Sequence, residues 1–384
     1  MKRTLPAILL ILSLVLASCQ AAAVPSGTPV ASGTPVAVAS TATTAGTSPE
    51  SSQAPSIRPG LRIAFFVPWT EDLWYVVAIQ GAKDEAQKIG VQLDSYDGAN
   101  KVQTQTQQFD IALAGKPDAV ILSSVDPASM VPLVEKANAA GVKVVIYDRP
   151  IFTTTKADAQ LILDMTAVGK AMAKAAVDSL VAKHGSPQGT IMRVYGDPAD
   201  TWTTGITSGW DPYMAQYPNI KVLPASSGAW DPAKAAASVQ QLLVGHPDVD
   251  AMVLDSDFLV SGIITTLKTS GYGLSGQPKH IYMVAIGGEP VGLQAIRDGW
   301  MDVDLENPAP DYGDVAVQLA ADLASGQAVP QQWTEPGKPW SPLTISNATP
   351  TADAPYAGPI VYMTPVTVDK TNASDPALWG NHLK

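Results

Sequence analysis

The chain has 384 residues, a formal net charge of −11 and a sequence pI of about 4.7, with 46 % apolar and 7 % aromatic residues. That length supplies two domains with full-sized cores. The acidic balance, with no basic stripe anywhere along the chain, excludes a nucleic-acid-binding surface.

At the N-terminus, Lys2 and Arg3 precede an apolar run over residues 5–17, and Leu16-Ala17-Ser18-Cys19 closes it. This is the plan of an export signal over residues 1–19, and its apolar run is too short to cross a bilayer as a stable helix. The Leu-Ala-Ser-Cys sequence resembles the lipobox of bacterial lipoproteins, which implies cleavage before Cys19 and lipidation of it. Cys19 is the only cysteine, so the chain has no internal disulfide. Residues 20–56 are mostly Ala, Ser, Thr, Pro, Val and Gly. Side chains this small cannot bury enough area to offset chain entropy, and the segment reads as a disordered tether.

From Arg62 onward, short apolar runs alternate with amphipathic stretches. Strands are predicted over 62–67, 91–97, 119–124 and 142–147. Helices are predicted over 73–89 and 101–114, and from Asp126-Pro127 to about Ala140. Aspartate followed by proline suits a cap and the first helical position. The pattern then repeats, with a short run at 161–163 and a helix over 165–184 capped by Asp164. Strands follow at 190–195, 220–225, 251–254 and 281–286, with helices starting near Thr201, Pro232, Phe258 and Pro290. A last helix covers 311–325. Two successive runs of this kind predict an α/β fold of two Rossmann-like lobes with parallel sheets.

The expected lobes are 57–160 with 308–335, and 161–307 with 359–370. They are joined by three crossings near 158–164, 307–311 and 356–361. Residues 301–305 alternate as a solvated strand face would. Residues 336–358 read as a surface excursion pinned by Trp333 and Trp340, 360–368 as one final strand, and 371–384 as a polar tail.

In an open parallel sheet, ligands bind outside the carboxyl ends of the strands. Asp72, Trp74 and Tyr75 follow the first predicted strand, Ser123 the third, and Asp148 and Arg149 the fourth. In the second lobe the strand ends lead to Trp202 and Thr204, to Trp230, to Ser256 and Asp257, to Gly287-Gly288-Glu289, and to Glu306 and Asn307. Carboxylate acceptors beside a planar guanidinium suit a ligand covered in hydroxyls, and aromatic faces suit its C–H patches. Trp210 and Trp300 read as core.

The body resembles the periplasmic sugar-binding proteins of the ribose- and galactose-binding type, the substrate-binding components of ABC importers. The resemblance runs from about residue 62 to 307. It rests on LWYVVAIQGA at 73–82, KANAAGVKVVIYDR at 136–149, and Trp230-Asp231 followed by LLVGHPDVD at 242–250. It implies the type I periplasmic binding protein fold, with three hinge crossings. It also implies first-lobe ligand contacts at Asp72, Trp74, Tyr75, Asp148 and Arg149. Trp230 matches the family's second-lobe stacking aromatic, and Asn307 or Glu306 its polar residue near a hinge. The second lobe departs from the pattern. Thr204, with Trp202 nearby, stands where the family has an arginine, and Ser256 stands where it has asparagine before aspartate. Ile286-Gly287-Gly288 replaces a Phe-Asp-Gly turn, leaving Glu289 as the nearest carboxylate. The ligand's identity within the class is therefore open.

The resemblance implies a monomeric, lipid-anchored, extracytoplasmic protein that delivers a sugar or polyol to an ABC permease. It would need no cofactor and no metal, and would meet the membrane only through its lipid. A sensor of the same fold, signalling to a chemoreceptor or sensor kinase, is the alternative output. An exported enzyme is disfavoured: the only histidines are His184, His246, His280 and His382, and the chain has no nucleophile elbow or phosphate-binding loop. A sugar-responsive repressor would need a helix-turn-helix where the export signal and tether stand.

Overall fold

The computed structural model describes residues 57–383; the export signal, Cys19 and the tether lie outside the described residues. The first α/β run comprises β1 (Arg62–Val67), α1 (Leu73–Ile89), β2 (Gln92–Asp97), α2 (Val102–Ala114), β3 (Ala119–Leu122), α3 (Pro127–Ala139), β4 (Lys143–Tyr147) and β5 (Ala159–Leu163). The second begins with α4 (Met165–His184), β6 (Gly189–Tyr195), α5 (Thr201–Met214) and β7 (Ile220–Ser226). It continues through α6 (Pro232–Gly245), β8 (Ala251–Leu254), α7 (Val260–Thr269), β9 (Tyr282–Gly287), α8 (Pro290–Asp298) and β10 (Val303–Glu306). The chain then returns through α9 (Ala309–Ala324), β11 (Thr344–Asn347), β12 (Pro359–Met363) and β13 (Val366–Val368).

These strands form two sheets, ordered β11-β12-β5-β4-β3-β1-β2 and β13-β10-β9-β8-β6-β7. All pairings are parallel except those of the edge strands β11 and β13. The central strands, such as Ala-Val-Ile-Leu in β3 and Ala-Met-Val-Leu in β8, are buried along their whole length. A sheet covered by helices on both faces requires such continuous apolar runs. The protein thus has two α/β lobes of the type I periplasmic binding protein architecture. In each sheet the strand order reverses around one strand: β1 lies between β2 and β3, and β6 between β7 and β8.

Several placements differ from the sequence reading. The expected single strand at 360–368 is two strands: β12 pairs with β5 in the first sheet and β13 with β10 in the second. Pro365 separates them; without an N–H it cannot continue the ladder. The third crossing therefore falls between Met363 and Val366, beyond 356–361. The first falls at Asp164, because β5 pairs with β4. Residues 301–305 do not present a solvated face. β10 is enclosed between β9 and β13, and Asp304 is fully buried, its Oδ2 accepting from Gly288 N at 3.0 Å. The excursion carries a strand of its own, β11, and buries Trp340. The tail buries Leu378 and Trp379, and Trp379 N donates to Glu306 Oε1 at 2.9 Å.

Each lobe packs one helix pair backbone to backbone. A Cβ on Gly81 of α1 would lie 2.1 Å from the Pro310 carbonyl of α9, and one on Gly169 of α4 would lie 2.0 Å from the Ile206 carbonyl of α5. Only glycine permits either approach. Helix starts follow the predicted caps: Asp126, Asp164 and Asp231 accept from Ser129 N, Ala167 N and Ala233 N. Asp126→Ala is expected to cost about 1 kcal/mol in urea denaturation, since it removes one exposed cap and no packing.

Candidate functional site

The reversal strands β1 and β6 both run out into one cleft between the lobes. Its lining includes Trp69, Asp72, Trp74, Tyr75, Asp148, Arg149, Trp202, Trp230, Ser256, Asp257, Ile286, Gly287, Glu289 and Asn307. Its cavity volume is about 50 Å³. A mainly apolar cleft carrying a few convergent polar groups is the usual form of a small-molecule site.

The first lobe supplies a rigid acidic wall. Asp72 caps α1, its Oδ1 accepting from Trp74 N at 2.8 Å. The Trp74 indole N–H donates to Asn307 O at 3.0 Å, and its ring meets Tyr75 and Tyr312 edge-on. Asp148 ends β4 with φ +63°, a left-handed conformation costly for a residue with a side chain and often found at functional sites. Its Oδ2 accepts from Tyr75 Oη at 2.6 Å and from Ser123 Oγ at 3.0 Å. Burial raises Asp148 to about 6, against the opposing pull of Arg149, Tyr75 and Ser123.

The second lobe meets this wall through Asp200. Its Oδ1 caps α5, accepting from Trp202 N at 2.7 Å and Thr203 N at 3.1 Å. Its Oδ2 accepts from the Trp230 indole at 2.8 Å and pairs with Arg149 at 3.0 Å. The Arg149–Asp200 pair thus joins the lobes, both side chains being under 10 % exposed. The guanidinium also lies 4.5 Å over the Trp69 ring. Gly228, Ala229 and Trp230 are all left-handed, with φ +58°, +64° and +64°, so a strained turn sets the Trp230 indole. The Trp202 indole donates to Asp255 O at 2.9 Å.

Below these groups lies a second acidic set. Asp257 Oδ2 accepts from Glu289 N at 2.7 Å, and a Cβ on Gly287 would sit 1.8 Å from Asp257 Oδ1, so the glycine makes room for the aspartate. Burial, then the charge of Asp304, raises Asp257 well above the usual carboxylate range. Glu289 reaches about 8 through burial and through Asp72 across the cleft, and Asp72 is itself raised by burial.

Ten of the twelve sequence candidates line the cleft. Ser123 stands behind it, fully buried and holding Asp148. Thr204 is not a lining residue; its hydroxyl donates to Asp200 O at 3.0 Å, one turn back along α5. It is Thr203 that is buried at that point. Sequence reasoning missed Trp69 and Asp200. Asp200 had a signal, since Asp200-Thr201-Trp202 repeats the spacing of Asp72-Leu73-Trp74 at the matching strand end of the other lobe. Among the described residues, no group of acidic, histidine or cysteine side chains could hold a metal ion, and no helix is long and apolar enough to cross a membrane.

Residues 63–328 match the family described as "Periplasmic binding protein domain". The chain is 26 % identical over 313 residues to the multiple sugar-binding periplasmic receptor ChvE of Rhizobium radiobacter, covering 78 % of this chain and 84 % of that protein. It is 24 % identical over 265 residues to the ribose import binding protein RbsB of Bacillus subtilis, covering 69 % and 82 %. Among solved structures, an ABC transporter solute binding protein of Mycobacterium smegmatis with bound glycerol superposes with a TM-score of 0.67 at 25 % identity, over 82 % of this chain and 96 % of that one.

Proposed function

The chain belongs to the periplasmic binding protein domain family, and we propose that it is a lipid-anchored, extracytoplasmic solute-binding protein that captures a sugar or polyol and delivers it to an ABC permease. The observation that carries the reading is the cleft itself. Strand ends from both lobes converge on it, and a buried Arg149–Asp200 pair spans it. The relatives support the ligand class: one is a multiple sugar receptor, one imports ribose, and one solved structure holds glycerol. The export signal and Cys19 support the anchor.

Three short crossings at Asp164, at 307–308 and at 364–365 would act as the hinge. Open and closed forms then interconvert, and a ligand touching both walls shifts the population to closed. Trp74 and Trp230 would offer ring faces, and Asp72, Asp148 and Arg149 would bond hydroxyls. Catalysis has no part in this reading.

The test is a thermal-shift screen of the protein against pentoses, hexoses and polyols. At saturating concentration, at least one is expected to raise Tm by about 5 °C, since a ligand that binds only the folded form stabilises it by mass action. No shift with any carbohydrate or polyol would reject the ligand class.

A further inference from the structure

The cleft's chemistry is lopsided. Four carboxyls, those of Asp72, Asp148, Asp257 and Glu289, line it against the single guanidinium of Arg149. That cation is already answered by Asp200 at 3.0 Å and by the Trp69 ring. The indole N–H groups of Trp74, Trp202 and Trp230 are likewise spent inside the protein, on Asn307 O, Asp255 O and Asp200 Oδ2. Acceptors remain. Asn307 is 2 % exposed, yet its side-chain oxygen has no hydrogen-bond partner. Glu289 stands at the cap position of α8 without bonding the helix, which leaves its carboxyl to the cleft.

Glu289 and Asp72 line the cleft from opposite lobes, and the charge of Asp72 adds to burial in raising Glu289. Like charges facing one buried cleft disfavour ionisation of both groups, and a cation between them removes that cost. Asp304 from β10 adds further negative charge and Asp257 binds the Glu289 N–H; Arg149, which also acts on Asp72, is the one cation near the pair and is already matched by Asp200. An ammonium group satisfies such a pair better than a hydroxyl does. It brings a full positive charge and three donors, and the surrounding indole faces attract it as well.

We propose that the cleft takes a hydroxylated ligand bearing a positively charged amino group, an amino sugar or amino polyol, with the cation held by Glu289 and Asp72. This rests on the sugar-or-polyol reading above and narrows it.

Calorimetry on the full chain with matched triplets separates the two. Each triplet is a neutral hexose, its 2-amino-2-deoxy form and the N-acetylated amine, in the gluco, galacto and manno series; ribose, xylose and glycerol complete the panel. At least one free amine is expected to bind about tenfold or more tighter than both its neutral and its acetylated partner, with Glu289→Gln removing most of that preference. Equal or tighter binding of the neutral members overturns the proposal and leaves the sugar reading standing. Preference for the amine that survives unchanged in Glu289→Gln overturns the assigned position of the cation. Silence across the panel overturns both readings.

Discussion

Arg149→Lys is expected to weaken binding of the best ligand from the sugar panel about a hundredfold, about 3 kcal/mol, by calorimetry. The side chain is 7 % exposed and acts on two counts. It forms part of the cleft wall, and its pairing with Asp200 at 3.0 Å ties the first lobe to the second. Lysine keeps the charge but replaces a planar five-donor fork with a point donor on a flexible stem. The fork's contact with the Trp69 ring at 4.5 Å is lost with it. A buried charged hydrogen bond is worth about 1.5–3 kcal/mol and a desolvated cation–π contact up to about 2 kcal/mol, so losing part of each reaches the stated effect. Because closure and binding are linked, weakening the bridge lowers affinity even for a ligand that never touches Arg149. Unchanged affinity in a folded Arg149→Lys protein would place the site elsewhere.

Why Arg149 was legible in the sequence and Asp200 was not has a physical basis. A buried strand such as Val142 to Tyr147 announces its own end, and parallel-sheet geometry puts whatever follows at the cleft. Asp148 and Arg149 became ligand candidates from that position together with Asp72 and Trp74 after the first strand. Asp200 sits five residues past β6, and its visible task is to cap α5. Its second oxygen, which holds Arg149 and Trp230, belongs to contacts between residues 30 or more apart in the chain. Thr204 failed for a related reason: on a helix, one residue turns the side chain by a third of a turn, and only packing shows that Thr203 faces in. The fold followed the same division. The repeating βαβ units were readable from period and caps. The split of 360–368 between two sheets, the burial of Asp304 and the docking of Trp379 depend on which edge is left open in three dimensions.

Glu289 gives a large expected pH effect. The residue is 6 % exposed, and its carboxyl is raised from 4.5 to about 8, by burial first and then by Asp72. A carboxyl raised on folding favours the protonated form. Its contribution to stability is therefore fully present below about pH 4.5, the ordinary value, and is lost as pH rises through about 8. At about 1.4 kcal/mol per unit, the whole displacement sets a ceiling of about 5 kcal/mol. Opening of the cleft would part Glu289 from Asp72 and let water reach it, so the expected loss is on the order of 2–3 kcal/mol. Asp148 at about 6, Glu306 at about 7 and Asp304 at about 6 slope the same way, so the parent protein's profile is a sum. Subtracting the profile of Glu289→Gln isolates Glu289 together with its effect on Asp72, because glutamine keeps the size but cannot ionise. Urea denaturation of the ligand-free protein at pH 5.5 and 8.5 is expected to show a smaller loss in Glu289→Gln than in the parent, by that 2–3 kcal/mol. Parallel profiles would mean that Glu289 titrates as an ordinary surface carboxylate and that Asp72 does not act on it in solution.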